Sequence, residues 1–146
     1  MNLELITKEL SKIKRTSFGI SIPELRKFAR KLAKNDYKEF FRINDFSTFE
    51  LKMLHAFTIG YVKDDIKTLL IYFENFMPYV DDWAINDSLC QNFRIARDEQ
   101  EAVWDFLMQY KNSKKEFERS KILSMIVLSE ILILSLPPIV LLVTIS

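Results

Sequence analysis

The chain contains very few residues that break helices or support covalent or metal cross-links. Its 146 residues include two glycines, four prolines, one cysteine and one histidine. The single Cys90 excludes an internal disulfide framework and a cysteine-rich zinc site, and the single His55 excludes a histidine-based metal cluster. The chain also lacks sustained alternation of apolar and polar residues bounded by turn residues, which argues against an all-β architecture.

The N-terminus lacks the features of a signal peptide. The opening residues 1–4 contain no basic region followed by an apolar run. A chain without a signal peptide and with only one cysteine fits a reducing compartment. The sequence therefore predicts a cytoplasmic protein.

The end of the chain lacks aromatic residues and almost all charge. All nineteen aromatic residues lie at or before Phe117, and Glu130 is the only charged residue among the last 25. The charge-free run 131–146 is 16 residues long and contains Pro137-Pro138, whereas a membrane span needs about 20 apolar residues. Three interpretations of this tail stay open, namely a tail anchor, a buried terminal helix pair, and a truncated or frame-shifted end.

Charge is distributed unevenly along the chain. Residues 8–42 carry eleven Lys and Arg against four Asp and Glu, a net charge of +7, whereas residues 43–146 carry a net charge of −5. Such a basic segment is typical both of proteins that contact nucleic-acid phosphates and of ordinary solvated helix faces. Charge alone does not choose between the two.

The distribution of apolar residues predicts an all-α protein. Leu3, Ile6, Leu10 and Ile13 share one face of a first helix over residues 3–15. A second helix is expected to begin at Ser21-Ile22-Pro23-Glu24, where Ser21 and Glu24 suit a capping box and Pro23 suits the first turn. Further helices are predicted over residues 36–42, 48–62, 64–77, 83–94 and 98–111.

Short amphipathic helices joined by tight turns are typical of an α-solenoid of stacked antiparallel helix pairs. In such a fold each pair buries its apolar face only against its neighbours. A compact irregular bundle is the alternative. We expect one helical domain over residues 1–119 and an atypical apolar tail over residues 120–146.

The most informative segment is Pro78–Cys90. Asp82 is a suitable N-cap, and the residues that follow it carry a helical apolar period. Trp83 and Asp87 are therefore expected to project from one face of a helix, because positions i and i+4 share a face. An aromatic ring beside a carboxylate is a plausible environment for a cation.

This segment resembles the Asn-Trp-Ala-x-x-Asp signature of the DNA alkylation repair family, the HEAT-like DNA glycosylases. The likeness covers most of residues 18–119. Phe18 to Arg26 is similar to the family's opening Gly-x-x-x-Pro-x-Leu-Arg, and Gly60 to Lys63 is similar to the end of its next helix hairpin. Phe76 to Asp87 and Glu116 to Arg119 follow in the same order. Asp82 stands where the family commonly has Asn, and Asn86 stands where related sequences often have Cys.

The resemblance implies a HEAT-like solenoid that excises cationic N3- or N7-alkylated purines from double-stranded DNA. It assigns Asp87 as the catalytic carboxylate and Trp83 as an aromatic wall, with Asp81 and Asp82 as capping groups. We expect neither a cofactor nor a metal. Four basic residues are candidates for DNA phosphates: Arg94 and Arg97 beyond Asp87, and Lys27 and Arg30 on the second helix.

Other interpretations remain for the same residues. Trp83 suits a helical core, Asp87 suits a solvated position or an ion pair with Arg94 or Lys67, and His55 suits a structural role. Family members continue for several more helix pairs than this chain, which favours either a shortened derivative of a glycosylase or a non-catalytic α-solenoid that binds DNA or a protein. A membrane-associated helical protein is a third possibility, although we expect no membrane partner.

Overall fold

The computed structural model describes residues 2–13, 15–16, 19–93, 95 and 98–109. These residues confirm the all-α class, with one very short antiparallel pair as the exception. The helices are α1 (Leu3–Ser11), α2 (Ile22–Asn35), α3 (Tyr37–Ile43), α4 (Phe49–Tyr61), α5 (Ile66–Phe76), a 3₁₀ turn (Met77–Tyr79), α6 (Trp83–Asn92) and α7 (Gln100–Met108). The division at residue 119 and the tail at 120–146 lie outside the described residues.

Side-chain caps explain where several helices begin. The side chains of Asn2, Thr48, Asp65 and Asp82 accept hydrogen bonds from backbone N–H groups at the starts of α1, α4, α5 and α6. Each cap satisfies one of the N–H groups that the first turn of a helix leaves without an intrahelical acceptor. These starts therefore follow directly from local sequence.

Two details of the N-terminal region differ from the prediction. Helix α1 ends at Ser11 rather than at residue 15, because β1 (Arg15–Thr16) pairs with β2 (Gly19–Ile20) in a short hairpin. Ser21 occupies the N-cap of α2, but its side chain makes no capping hydrogen bond. The predicted capping box is therefore wrong, because its first half, a hydrogen bond from the Glu24 N–H to the Ser21 hydroxyl, is not formed.

The core is built around α4. Nearly all of its residues from Leu51 to Ile59 are buried, so this helix is enclosed rather than amphipathic. The predicted apolar stripe of α2, which includes Leu25 and Leu32, packs on α4, and α6 packs on α4 as well. Helix α5 contacts α7. The helix that carries Trp83 and Asp87 is thereby held directly against the centre of the molecule.

Helices α4 and α6 run in the same direction. Near their beginnings, Lys52 of α4 pairs with Asp81 just before α6 at 2.8 Å. Near their ends, Gly60 lies so close to Asn92 that a Cβ at position 60 would come within 2.7 Å of the Asn92 Cβ. A glycine at this position permits the close approach of the two helix ends.

Candidate functional site

The start of α6 is defined by two local signals. Helix α5 ends at Phe76 and is followed directly by the 3₁₀ turn Met77–Tyr79, after which Val80 is buried. The Asp82 carboxylate then accepts a hydrogen bond from the Ala84 N–H at 2.7 Å. The predicted role of Asp82 as the N-cap is therefore confirmed, and it places Trp83 at the first position of the helix.

Trp83 and Asp87 lie one turn apart on α6, on the part of the helix that faces away from the core. Trp83 is 55% exposed and Asp87 is half-buried, whereas Ile85 and Leu89 are almost fully buried. Residues four apart in a helix share a face. The core interpretation of Trp83 is wrong, because most of the indole surface is accessible to a ligand.

Asp81 makes a contact that the sequence did not predict. Its carboxylate forms an ion pair with Lys52. The Lys52 side chain is 16% exposed, so the pair fixes a largely enclosed ammonium group between the starts of α4 and α6. The pairing positions the loop that leads into Trp83.

A polar junction joins α2, α4 and α6 at the other end of these helices. Arg26 donates to the Tyr61 hydroxyl at 3.0 Å and to the Asn92 Oδ1 at 2.8 Å, and its guanidinium lies 4.3 Å from the centre of the Phe57 ring. Asn92 in turn donates to the Ser88 carbonyl. The local sequence around Arg26 and Asn92 predicts no such role for either residue. Their partners are 35 and 66 residues from Arg26, so local periodicity could not reveal the junction.

The basic candidates fall into two groups. Lys27 and Arg30 are exposed on α2, and the Arg30 guanidinium lies 5.0 Å from the centre of the Tyr61 ring near the end of α4. Trp83 lies near the beginning of α4, whose 13 residues span about 20 Å at 1.5 Å each. The structure thus places Arg30 and Trp83 toward opposite ends of the same central helix. Arg94 and Arg97 lie outside the described residues.

Asn86 and His55 are two polar residues whose side chains are buried. Asn86 is 1% exposed, and its Nδ2 has no hydrogen-bond partner among the described residues. Its Oδ1 lies 3.8 Å from the Cys90 Sγ. Cys90 itself is partly buried against the core, which fits the expected small hydrophobic role.

His55 lies within a cluster of aromatic rings. Its imidazole stacks on Phe40 at 4.3 Å between ring centres, and Phe46 lies 4.5 Å away. Burial lowers the pKa of His55 to about 3, although the nearby Asp45 carboxylate opposes the shift. The imidazole is therefore neutral at physiological pH, and its enclosed position supports the structural role rather than a catalytic one.

Metal binding and membrane insertion each require recognisable features. Within the described ranges, His, Cys, Asp and Glu side chains form no group of three or more that could hold a metal ion. None of the helices in that same part of the chain is long and apolar enough to cross a membrane.

Comparisons with protein-family models, curated proteins and solved structures found no match to this chain. The resemblance noted from the sequence therefore stays a hypothesis. A function is inferred instead from the positions of Trp83 and Asp87 on α6.

Proposed function

We propose that this chain is a HEAT-like α-solenoid of the DNA alkylation repair type, a cytoplasmic glycosylase or a derivative of one. The layered packing of α2, α4 and α6 supports the solenoid part of the proposal. Alternate helices of stacked hairpins lie side by side in such a fold, as the parallel α4 and α6 do. The contact between α5 and α7 fits a second layer.

The observation that carries the enzymatic proposal is the exposure of Trp83 beside Asp87. A large indole at 55% exposure is uncommon for a residue with only a packing role, and it lies one turn from a half-buried carboxylate. This pair offers an aromatic surface and a negative charge to one ligand. A cationic nucleoside fits both properties.

The chemistry required of the protein is modest. An N3- or N7-alkylated purine already carries positive charge, so its glycosidic bond breaks without protonation by a general acid. The bonding electrons leave with the purine, and positive charge develops on the deoxyribose. We propose that the Asp87 carboxylate stabilises this charge and orients the water that attacks C1′, while Trp83 packs beside the sugar. The proton of the attacking water passes to Asp87 or to solvent.

Contact with the DNA backbone is assigned to the exposed face of α2. Lys27 and Arg30 are both exposed there, and the Tyr61 ring orients the Arg30 guanidinium. Lysine and arginine bind phosphates mainly through charge, independently of sequence. The separation of this face from Trp83 by the length of α4 suits a partner as long as duplex DNA.

The experiment that tests the proposal is single-turnover release of alkylated purines from duplex DNA treated with a methylating agent. We expect wild-type protein to release them faster than a control without protein, and Asp87→Asn to lower the rate on the order of 100-fold. Asp105→Asn, which neutralises an exposed carboxylate on α7, is the matched control and should retain wild-type activity.

Two results would contradict the enzymatic proposal. One is wild-type release no faster than release in the protein-free control. The other is equal loss in Asp87→Asn and Asp105→Asn, since that would remove the distinction between the proposed site and an arbitrary surface carboxylate. Thermal unfolding of each variant shows whether a loss of activity reflects a loss of fold.

A second candidate function is a non-catalytic α-solenoid that binds DNA or another protein. One observation favours it: Phe49 and Tyr79, which the glycosylase proposal does not use, are also exposed, at 44% and 42%. Exposed aromatic residues in one region are typical of interaction surfaces.

A further inference from the structure

Two contacts bring the start of α4 against the loop before α6. The rings of Phe46 and Tyr79 stack at 4.1 Å with an angle of 19° between their planes. Lys52 and Asp81 form the 2.8 Å ion pair described above. Segments 46–52 and 79–83 therefore form one continuous edge of the molecule.

Three exposed aromatic side chains line this edge, and we call Phe49, Tyr79 and Trp83 the aromatic edge. Their exposures are 44%, 42% and 55%. Phe49 and Trp83 are the first residues of the parallel helices α4 and α6, whose axes are expected to lie about 8–10 Å apart. The contacts between Lys52 and Asp81 and between Gly60 and Asn92 place these two first residues at nearly the same level.

The segments that form the aromatic edge are rich in acidic residues. Asp45, Glu50, Asp81 and Asp82 lie in or beside its two segments, and residues 44–51 and 78–87 contain no Lys or Arg. Hydrogen bonds from Ser47 lower the pKa of Asp45, so this carboxylate is ionised at neutral pH. Lys52, which directly follows the first of these stretches, is largely enclosed and paired with Asp81. The edge therefore carries a negative charge in a chain whose total is +1.

We infer that the aromatic edge binds a basic, arginine-bearing segment of a partner protein. A guanidinium group can stack on an aromatic ring and pair with a carboxylate at the same time, which suits the combination of residues here. The carboxylates in and beside the two segments favour a cationic partner at Phe49 and Tyr79, which the glycosylase proposal does not use. The inference does not depend on glycosylase activity, and it goes beyond the proposed function by naming a second partner.

A fluorescein-labelled peptide of alternating arginine and glycine residues is the probe. We expect it to raise fluorescence anisotropy on titration with the full chain, with weaker binding when lysine replaces arginine and none when glutamate replaces it. Binding should weaken with added salt. Amide shifts in two-dimensional NMR should fall on residues 45–52 and 79–83.

The decisive variant is Phe49→Ser/Tyr79→Ser, which we expect to weaken binding at least about tenfold. Phe49→Ser alone should give a smaller loss of binding in the same direction. This single variant keeps Tyr79, whose ring stacks on Phe46. Ile71→Ser is the matched control, because Ile71 is 57% exposed on α5 outside the aromatic edge. Thermal unfolding confirms that each variant is folded.

Several outcomes would overturn the inference. These are equal binding by the double variant and by Ile71→Ser, equal binding of the glutamate peptide, and amide shifts at Phe49 and Tyr79 that duplex DNA causes and the arginine peptide does not. Self-association in sedimentation that the double variant abolishes, without peptide binding, would assign the edge to a second copy of the chain.

The result of the peptide-binding experiment can be separated from the result of the purine-release assay. Asp87→Asn should keep peptide binding while losing purine release, and the Phe49→Ser/Tyr79→Ser variant should keep purine release while losing peptide binding. Failure of one proposal therefore leaves the other standing on its own measurement.

Discussion

His55 is the residue whose chemistry depends most on its surroundings. It is 2% exposed among aromatic rings, and its Nε2 has no hydrogen-bond partner among the described residues. A charged imidazole would be desolvated at this position, and the attraction of the Asp45 carboxylate offsets only part of that cost. The only histidine of the chain is therefore held in its neutral form.

This environment predicts a loss of stability in mild acid. The pKa of His55 is about 3 in the folded chain and near 6.5 when unfolded, so the unfolded state binds more protons between these values. The contribution of His55 is intact above pH 6.5 and decreases as the pH falls below it. Urea unfolding should show a decrease of about 2 kcal/mol between pH 7 and pH 5 that is reduced in His55→Phe.

His55→Phe is a suitable comparison because its ring can stack on Phe40 and Phe46 as the imidazole does. Carboxylates also contribute to the pH dependence of stability, and the difference between the two proteins removes their contribution. An identical pH dependence in wild type and His55→Phe would show that the histidine is not the group responsible.

At the scale of helices, the polar junction at Arg26 fixes how α2 and α6 sit on α4. Arg26 makes two hydrogen bonds and one ring contact, and its partners come from α4 and α6. Removing the guanidinium leaves the largely buried Asn92 without this donor. The energetic cost therefore includes unsatisfied partners as well as lost contacts.

We expect Arg26→Ala to lower the free energy of unfolding by about 2–3 kcal/mol. Arg30→Ala is the matched control, since Arg30 is exposed on the same helix and lies over the face of the Tyr61 ring. We expect this variant to lower the free energy of unfolding by about 0.5 kcal/mol. Equal losses for the two variants in urea unfolding would mean that the junction does not couple the helices.

The starts of helices were predictable, and their packing was not. Asp82 was predicted as a cap from residue type and the periodicity that follows, and its hydrogen bond to Ala84 confirms this. The early end of α1 was missed because a two-residue strand depends on pairing with Gly19 and Ile20. The exposure of Trp83 could not be read from sequence, since a helical period does not show which face meets a neighbour.

At the scale of the molecule, the proposed solenoid and a compact bundle differ in how far a defect in one helix spreads. Stacked repeats transmit stability mainly between neighbours, so a defect at one end has a local effect. Leu54 is fully buried in α4, whereas Leu107 is buried in α7. Replacing either leucine by alanine removes the same atoms, in one case from the central helix α4 and in the other from α7, the last described helix.

Native-state hydrogen exchange on Leu54→Ala and Leu107→Ala tests this arrangement. Each substitution is expected to cost about 3 kcal/mol. Leu54→Ala should lower amide protection in α2, α4 and α6 together, whereas Leu107→Ala should lower it in α7 and leave α2 near wild type. A uniform decrease in both variants would favour a cooperative bundle over stacked pairs.

Local sequence is sufficient to predict the helical class, most helix starts and the placement of Trp83 and Asp87 on one helix. These features depend on neighbours within a few residues, through caps and the 3.6-residue period. The packing of the helices is needed to explain why Trp83 is exposed, why Asp81 pairs with Lys52 and why Arg26 joins three helices. Those features depend on contacts between residues far apart in the chain, which local patterns do not encode.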